Sequence, residues 1–167
     1  MAGPASEGLR PTSDSLRETL FNMLGPSVEG ARVLDGYAGT GALGLEALSR
    51  GASHVTFIER DGRAIRVLRE NVTRCRAENA CVIIREDFLG VSAATRQFDL
   101  VLLDPPYDVE DLRVVLDAAV PLVAAHGRLV LEHSRRRVPP EAPAGFERGH
   151  VRIAGDSALS FYAPKGS

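Results

Sequence analysis

The chain has 167 residues, 44% of them hydrophobic and 25% charged, and its formal net charge is −2. A chain of this length and composition can bury a core of its own, so we expect one globular domain. No apolar run approaches the roughly 18 residues that span a membrane. Two cysteines and four scattered histidines give neither a disulfide framework nor metal-ligand spacing, which predicts no metal site and a cytoplasmic location.

Residues 1–9 lack the charged start and apolar stretch of a secretory signal and are predicted to form a loose leader. The single domain is expected over residues 10–163, followed by a short tail, 164–167. Ser15 and Glu18 have the spacing of a capping box, which predicts the start of a first helix, and leucines then recur on one face of it up to a Gly-Pro pair.

After this helix, short runs rich in valine, isoleucine and leucine alternate with amphipathic helical patterns. The predicted strands are 32–35, 54–59, 81–85, 98–104, 127–132, 147–153 and 158–162, and the predicted helices between them are 42–50, 61–74 and 109–124. This alternation predicts an α/β, Rossmann-like fold with a mostly parallel sheet and helices on both faces. The last two strands are predicted to form an antiparallel hairpin at the sheet edge.

A glycine-rich loop follows the first predicted strand. Residues 39–44 match the pattern Gly-x-Gly-x-x-Gly, and Glu59 ends the second strand. Dinucleotide-binding loops share this pattern, so an NAD-dependent oxidoreductase is one alternative. Asp35 at the strand tip argues against it, because its carboxylate would repel a pyrophosphate. The same charge favours a cationic ligand with a ribose for Glu59, and S-adenosylmethionine has both features.

Two residues after the third predicted strand would lie at the same edge of the sheet. Asp87 could accept a hydrogen bond from an adenine amine, with Phe88 beside the ring. The alternative is that Asp87 caps a short helical segment over residues 88–95.

The tetrapeptide Asp104-Pro105-Pro106-Tyr107 follows the fourth predicted strand. Proline has no N–H and a fixed φ, so the carbonyls of this segment can remain free as acceptors. Asp104 adds a carboxylate, and Tyr107 adds a ring on which a flat group can stack. These residues predict a pocket for a planar group that carries an amino nitrogen, which describes a nucleobase.

A basic segment, Arg135-Arg136-Arg137, follows the fifth predicted strand. Guanidinium groups suit phosphate oxygens, so the segment could hold a nucleic-acid phosphate. A solvated charged loop is the other interpretation.

Four stretches, residues 10–22, 35–52, 104–107 and 153–162, together resemble the RsmD family, the bacterial 16S ribosomal RNA guanine-N2 methyltransferases. The resemblance implies a class I methyltransferase fold with a seven-stranded sheet, S-adenosylmethionine as cofactor and ribosomal RNA as partner. We expect the RNA to be bound within a small-subunit particle, and the protein to be a monomer.

The motifs and the resemblance place the candidate residues in three groups. The catalytic group is Asp104, Pro105, Pro106 and Tyr107. The cofactor-binding group is Asp35, Tyr37, Gly39, Gly41, Glu59, Arg60, Asp87, Phe88 and Asp104. The substrate-binding group is Arg10, Thr12, Asp14, Arg17, Tyr107, Arg135 and Arg136.

The chemistry predicted for this site is methyl transfer to an exocyclic amine. Asp104 and the Pro105 carbonyl would each accept one N–H and so turn the nitrogen lone pair toward the sulfonium methyl group. Two alternatives stay open besides the oxidoreductase. One is a DNA methyltransferase acting on adenine N6 or cytosine N4, and the other is a non-catalytic RNA-binding or ribosome-assembly factor that retains the cofactor pocket.

Overall fold

The computed structural model describes residues 11–91, 97–106, 109 and 111–166, and for residues 11–13 it describes the backbone alone. The predicted leader lies outside this part of the chain, as do Arg10 and Tyr107. No helix in the described ranges is long and apolar enough to cross a membrane.

Helices and strands alternate along most of the described chain. The helices are α1 (Pro11–Leu24), α2 (Ala42–Ser49), α3 (Gly62–Arg74) and α4 (Leu112–Ala119). The strands are β1 (Arg32–Asp35), β2 (His54–Glu59), β3 (Cys81–Arg85), β4 (Phe98–Leu103), β5 (Val123–Ser134), β6 (Phe146–Ala154) and β7 (Ser157–Pro164). Short 3₁₀ helices lie at Gly25–Val28, Glu78–Ala80, Phe88–Gly90 and Val120–Leu122.

The strands form one seven-stranded sheet in the order β3-β2-β1-β4-β5-β7-β6. The pairs among β1 to β5 are parallel, whereas β7 runs antiparallel to both β5 and β6. The chain order reverses at β1, and β1 and β4 lie side by side there. This is the switch point at which open α/β sheets bind ligands, beyond the carboxyl ends of the strands. The predicted fold class, including the antiparallel C-terminal hairpin, is confirmed.

Buried side chains form two clusters, one on each face of the sheet, and consecutive residues of a strand belong alternately to one and the other. Leu20 of α1 belongs to the same cluster as Val33 and Leu102, on the face that α1, α2 and α3 cover. Leu103 belongs with Leu116 of α4 to the other cluster. Consecutive strand residues therefore bury apolar side chains on opposite faces, and the central strands read as continuous apolar runs.

Three predicted elements differ from the structure by more than two residues at an end. Helix α1 begins at Pro11 rather than at the predicted capping box, because proline suits the first helical position, where its missing N–H costs nothing. Helix α4 covers only Leu112–Ala119 of the predicted 109–124, since Asp111 caps its start by accepting a hydrogen bond from the Arg113 N–H. The following residues form a 3₁₀ helix and then strand β5, which begins four residues earlier than predicted.

Candidate active site

Two cavities open at the carboxyl edge of the sheet and share part of one wall. The larger, about 590 Å³, lies beyond β1, β2 and β3, and the smaller, about 280 Å³, lies beyond β4 and β5 against α1. Asp104 and Pro106 line both cavities. Two residues that the sequence singled out as catalytic therefore stand between the two cavities.

Most of the predicted cofactor residues line the larger cavity. They are Tyr37, Gly39, Glu59, Arg60, Asp87, Phe88 and Asp104. The two others, Asp35 and Gly41, are not among its lining residues. Asp35 is the last residue of β1 and Gly41 directly precedes α2, so neither is part of the cavity wall.

The glycines of the loop after β1 serve different purposes. A Cβ on Gly36 would lie 2.7 Å from a side-chain carbon of Leu103, and a Cβ on Gly41 would overlap Leu68. Gly41 also has a φ of 91°, a left-handed conformation that an L-residue adopts at a cost. At Gly39, by contrast, an added Cβ meets no atom within 4 Å. The loop is thus packed tightly on its inner side and faces open space at Gly39.

Glu59 holds this loop against the turn that leads into α3. One carboxylate oxygen accepts a hydrogen bond from the Gly39 N–H at 2.8 Å, and the other accepts from the N–H groups of Arg60 and Asp61 at 3.1 and 2.9 Å. A carboxylate has about four acceptor sites, so these three bonds leave capacity for a ligand hydroxyl. Glu59 therefore shapes the larger cavity as well as lining it.

Asp35 is buried beneath the loop, with only 1% of its surface exposed. Its Oδ2 accepts a hydrogen bond from the Gly44 N–H in the first turn of α2, where a negative charge is favourable. Its Oδ1 has no hydrogen-bond partner. Burial is the largest cause that raises the pKa of Asp35, to about 7, and repulsion from Asp104 and Glu59 adds to it. This carboxylate would be stabilised by a nearby positive charge.

Aromatic and charged groups form the remaining wall of the larger cavity. Tyr37 lies 5.2 Å from Phe88 between ring centroids, and its buried hydroxyl has no hydrogen-bond partner. Burial is also the main cause that raises the pKa of Tyr37 to about 12. Asp87 accepts a hydrogen bond from the Leu89 N–H and so caps a 3₁₀ helix that covers only Phe88–Gly90 of the predicted segment 88–95. Its other oxygen lies 3.5 Å from Arg60.

The smaller cavity has a different lining. Its residues come from α1, α2, α4, β5, β7 and adjoining loops, and include Leu16, Arg17, Leu43, Asp104, Pro105, Pro106, Leu112, Glu132, His133, Ser134, Arg137, Ser157 and Leu159. Among the predicted substrate-binding residues whose side chains the structure describes, only Arg17 is in this lining. A carboxylate oxygen of Asp14 lies 3.1 Å from the Arg17 guanidinium. Thr12 lies in α1, and its side chain is outside the described part of the chain.

In the basic segment after β5, the two predicted substrate-binding residues, Arg135 and Arg136, do not line the smaller cavity. Arg135 donates a hydrogen bond to the Gly155 carbonyl at 3.2 Å, and Arg136 is exposed. Neither residue lines the larger or the smaller cavity. Arg137 does line the smaller cavity, and its guanidinium donates to the Val109 carbonyl at 2.7 Å. The chain turns after β5, so the three consecutive arginine side chains point in different directions. Only the third one reaches the smaller cavity.

Sequence reasoning missed the contribution of β5 to the smaller cavity. His133 is 7% exposed, and its two ring nitrogens lie 2.9 Å from the Ser134 carbonyl oxygen and 2.8 Å from the Ser160 hydroxyl. Burial is the main cause that lowers its pKa, which favours the neutral ring. The signal that could have identified these residues was the polar run Glu132-His133-Ser134 at the end of an otherwise apolar strand.

Comparison with known proteins agrees with this architecture. The family model described as Conserved hypothetical protein 95 matches residues 1–163. The Escherichia coli K12 protein named Ribosomal RNA small subunit methyltransferase D is 36% identical over 165 residues, which cover 95% of this chain and 81% of that protein.

Two solved structures share the fold. A hypothetical protein of Thermus thermophilus matches with a TM-score of 0.78 and 32% identity, over 96% of this chain and 91% of that one. An S-adenosylmethionine dependent methyltransferase of Mesorhizobium loti matches with a TM-score of 0.61 and 18% identity, over 74% and 53% of the two chains, which shows the fold alone. The chain belongs to the Conserved hypothetical protein 95 family, which is the RsmD family of methyltransferases that its motifs indicated.

Proposed function

We propose that the protein transfers a methyl group from S-adenosylmethionine to the exocyclic N2 of a guanine in small-subunit ribosomal RNA. The observation that carries the proposal is the wall formed by Asp104 and Pro106 between the two cavities. A donor in the larger cavity and a base in the smaller one would meet at this wall. The name of the Escherichia coli relative supports the choice of RNA.

Three observations support S-adenosylmethionine as the ligand of the larger cavity. The buried Asp35 has an oxygen without a partner and lies close enough to Asp104 and Glu59 for repulsion to raise its pKa, so a cation would relieve the repulsion. Glu59 retains capacity for a ribose hydroxyl, and the loop is open at Gly39. The bound cofactor would supply a methyl group activated by the positive charge on sulfur.

The residues of the wall would orient the acceptor amine. In the proposed arrangement Asp104 and the Pro105 carbonyl each accept one N–H, which directs the nitrogen lone pair toward the larger cavity and stabilises the positive charge that develops there. As the new N–C bond formed, the donor would keep the electron pair of the broken S–C bond as a neutral thioether, and the Asp104 carboxylate would accept the proton that leaves the nitrogen. Stacking by Tyr107 remains a prediction, since this residue lies outside the described ranges.

A labelling experiment tests the proposal. The protein is incubated with S-adenosylmethionine carrying a labelled methyl group and with naked small-subunit RNA, small ribosomal subunits that lack the modification, or duplex DNA. Mass spectrometry then locates the label, and we expect N2-methylguanine in RNA. Label on adenine or cytosine of DNA would favour the DNA methyltransferase instead. Cofactor binding without turnover in all three arms would favour the non-catalytic factor.

Two further features of the proposal can be measured in the same preparation. The small subunit is the proposed partner, so the rate should be higher on subunits than on naked RNA. Light scattering of the protein alone would test whether it is a monomer.

A further inference from the structure

Two carboxylates line the smaller cavity from neighbouring strands. The register pairs Leu103, the last residue of β4, with Leu131 of β5, so Asp104 directly follows β4 and Glu132 is the next residue of β5. Adjacent strands are about 4.8 Å apart, and paired residues point to the same face of a sheet. Both carboxylate residues are in the lining of this one cavity. The cavity therefore has two carboxylate residues in its lining, one directly after β4 and one in β5.

The backbone at Glu132 is held by its pairing with β7 and by the contacts of the next residue. Glu132 pairs with Leu159 of β7, which is buried and lines the same cavity. The next residue, His133, is held by Ser160 and by the Ser134 carbonyl. A side chain on such a support has a defined direction, which recognition of one chemical group requires.

Hydrogen-bond donors stand near the two acceptors. Arg17 of α1 and Arg137 after β5 line the cavity as well. Arg17 lies 3.1 Å from Asp14 and 3.7 Å from Glu46, and Arg137 bonds the Val109 carbonyl, so each guanidinium is oriented by its partners. The lining thus combines two carboxylate acceptors with guanidinium donors.

Among the nucleobases, guanine presents the matching edge. Its N2 amine and its N1–H are adjacent donors, and its O6 is an acceptor beside them, whereas N1 of adenine is an acceptor. A carboxylate that faces an acceptor is left without a hydrogen bond, and this penalises the wrong base.

We propose that Glu132 is a specificity residue that selects guanine by accepting a hydrogen bond from its N1–H, while Asp104 accepts from the N2 amine. This inference rests on the proposed function and identifies the residue that sets base choice within it. Arg17 or Arg137 donates to O6 in this arrangement.

The test uses the target nucleotide located by the labelling experiment. RNA is prepared by ligation with guanosine or 2-aminopurine ribonucleoside at that position. 2-Aminopurine keeps the N2 amine but has an acceptor at N1 and lacks O6. We expect the wild-type protein to methylate guanosine about 100-fold faster in kcat/KM, as a hydrogen-bonding site does when it rejects an analogue. Equal rates on the two RNAs would overturn the inference without any mutant.

Two variants of Glu132 then assign the discrimination to this side chain. In Glu132→Gln the amide NH₂ can donate to N1 of 2-aminopurine, so we expect the guanosine preference to fall at least tenfold. Glu132→Ala should slow transfer to guanosine and gain nothing on 2-aminopurine. Glu147→Gln, at an exposed position of β6, is the matched control and should keep the wild-type preference.

The outcomes separate the inference from the proposed function. Glu132 does not line the larger cavity, so cofactor affinity measured by calorimetry should stay at the wild-type value in both variants and shows that they are folded. Unchanged preference in folded Glu132→Gln overturns the role of Glu132 and leaves guanine methylation standing. A wild-type protein that methylates no guanine overturns both.

Discussion

The two cavities on either side of Asp104 differ in how the chain builds them. The larger one is lined by the ends of consecutive strands, with backbone N–H groups and acids supplied by residues 36–39, 58–61 and 86–89. The smaller one gathers side chains from α1, α2, β5 and β7, which are far apart in sequence. The first is a property of short contiguous motifs, and the second exists only after the sheet and α1 have packed together.

This difference has a functional counterpart. A cavity made of local loops can keep its shape while the residues around the second cavity change, because few of the described side chains belong to both. Asp104 and Pro106 are the exceptions, since they line both cavities. Variants that affect one cavity alone, or both through Asp104, therefore test whether the two cavities are independent.

The largest expected effect comes from the shared wall. Asp104→Ala and Asp104→Asn should each lower kcat for methyl transfer about 1000-fold, or about 4 kcal/mol, because an acceptor aligned with the reacting amine is lost or neutralised. Single-turnover transfer of labelled methyl measures the rate, and circular dichroism shows whether the variants are folded. A folded Asp104→Asn with a rate close to wild type would contradict the proposed mechanism.

Asp35 makes the free energy of unfolding of the protein depend on pH. Its pKa is raised to about 7 in the folded protein against 3.8 for an exposed carboxyl group, so its contribution is full below pH 4 and is lost as pH rises to 7. The free energy of unfolding of the wild type should fall by about 1.4 kcal/mol per pH unit in this window relative to Asp35→Asn.

Urea unfolding of both proteins between pH 4 and pH 8 measures the difference. Above pH 7 the two curves should run parallel. A constant difference over the whole range would show that the folded protein does not hold a proton on Asp35.

Gly41 tests the tight side of the glycine loop. Gly41→Ala should destabilise the protein by about 3 kcal/mol, because alanine is strained at this φ and its Cβ would overlap Leu68. Gly145→Ala is the matched control, since Gly145 has a φ of 82° and no atom within 4 Å of an added Cβ. Urea midpoints compare the two. An equal loss in both variants would mean that the contact with Leu68 contributes nothing.

The smallest expected effect distinguishes the cavities most cleanly. Glu59→Gln keeps one acceptor oxygen, so the variant must lose either the bond from Gly39 or those from Arg60 and Asp61. We expect affinity for S-adenosylmethionine to fall about tenfold, or about 1.4 kcal/mol, with no change in the KM for RNA. Calorimetry and steady-state kinetics measure the two quantities, with Glu70→Gln on the exposed side of α3 as control. A rise in the KM for RNA would show that the cavities are coupled.

The sequence predicted much of the larger cavity because its signals are local. A strand tip, a glycine loop and an acid at the next strand end occupy neighbouring positions in any parallel sheet of this kind, and so Gly39, Glu59 and Asp87 could be placed in advance. Asp35 was assigned to the ligand on the same grounds, yet its carboxylate is buried against the Gly44 N–H. Its distance from the cavity depends on how α2 packs, which strand periodicity does not encode.

The chain by itself determined the order of strands and helices, the class of fold and the position of the acceptors at Asp104, since these follow from the periodicity of apolar residues and from the fixed geometry of proline. Only the tertiary structure decided that Glu132, His133 and Arg137 share a cavity with Arg17. Their approach requires β5 to lie next to β4 and α1 to pack across the sheet. The free energy for this comes from the burial of apolar surface, which is non-directional, so the sequence does not show which buried faces pack against each other.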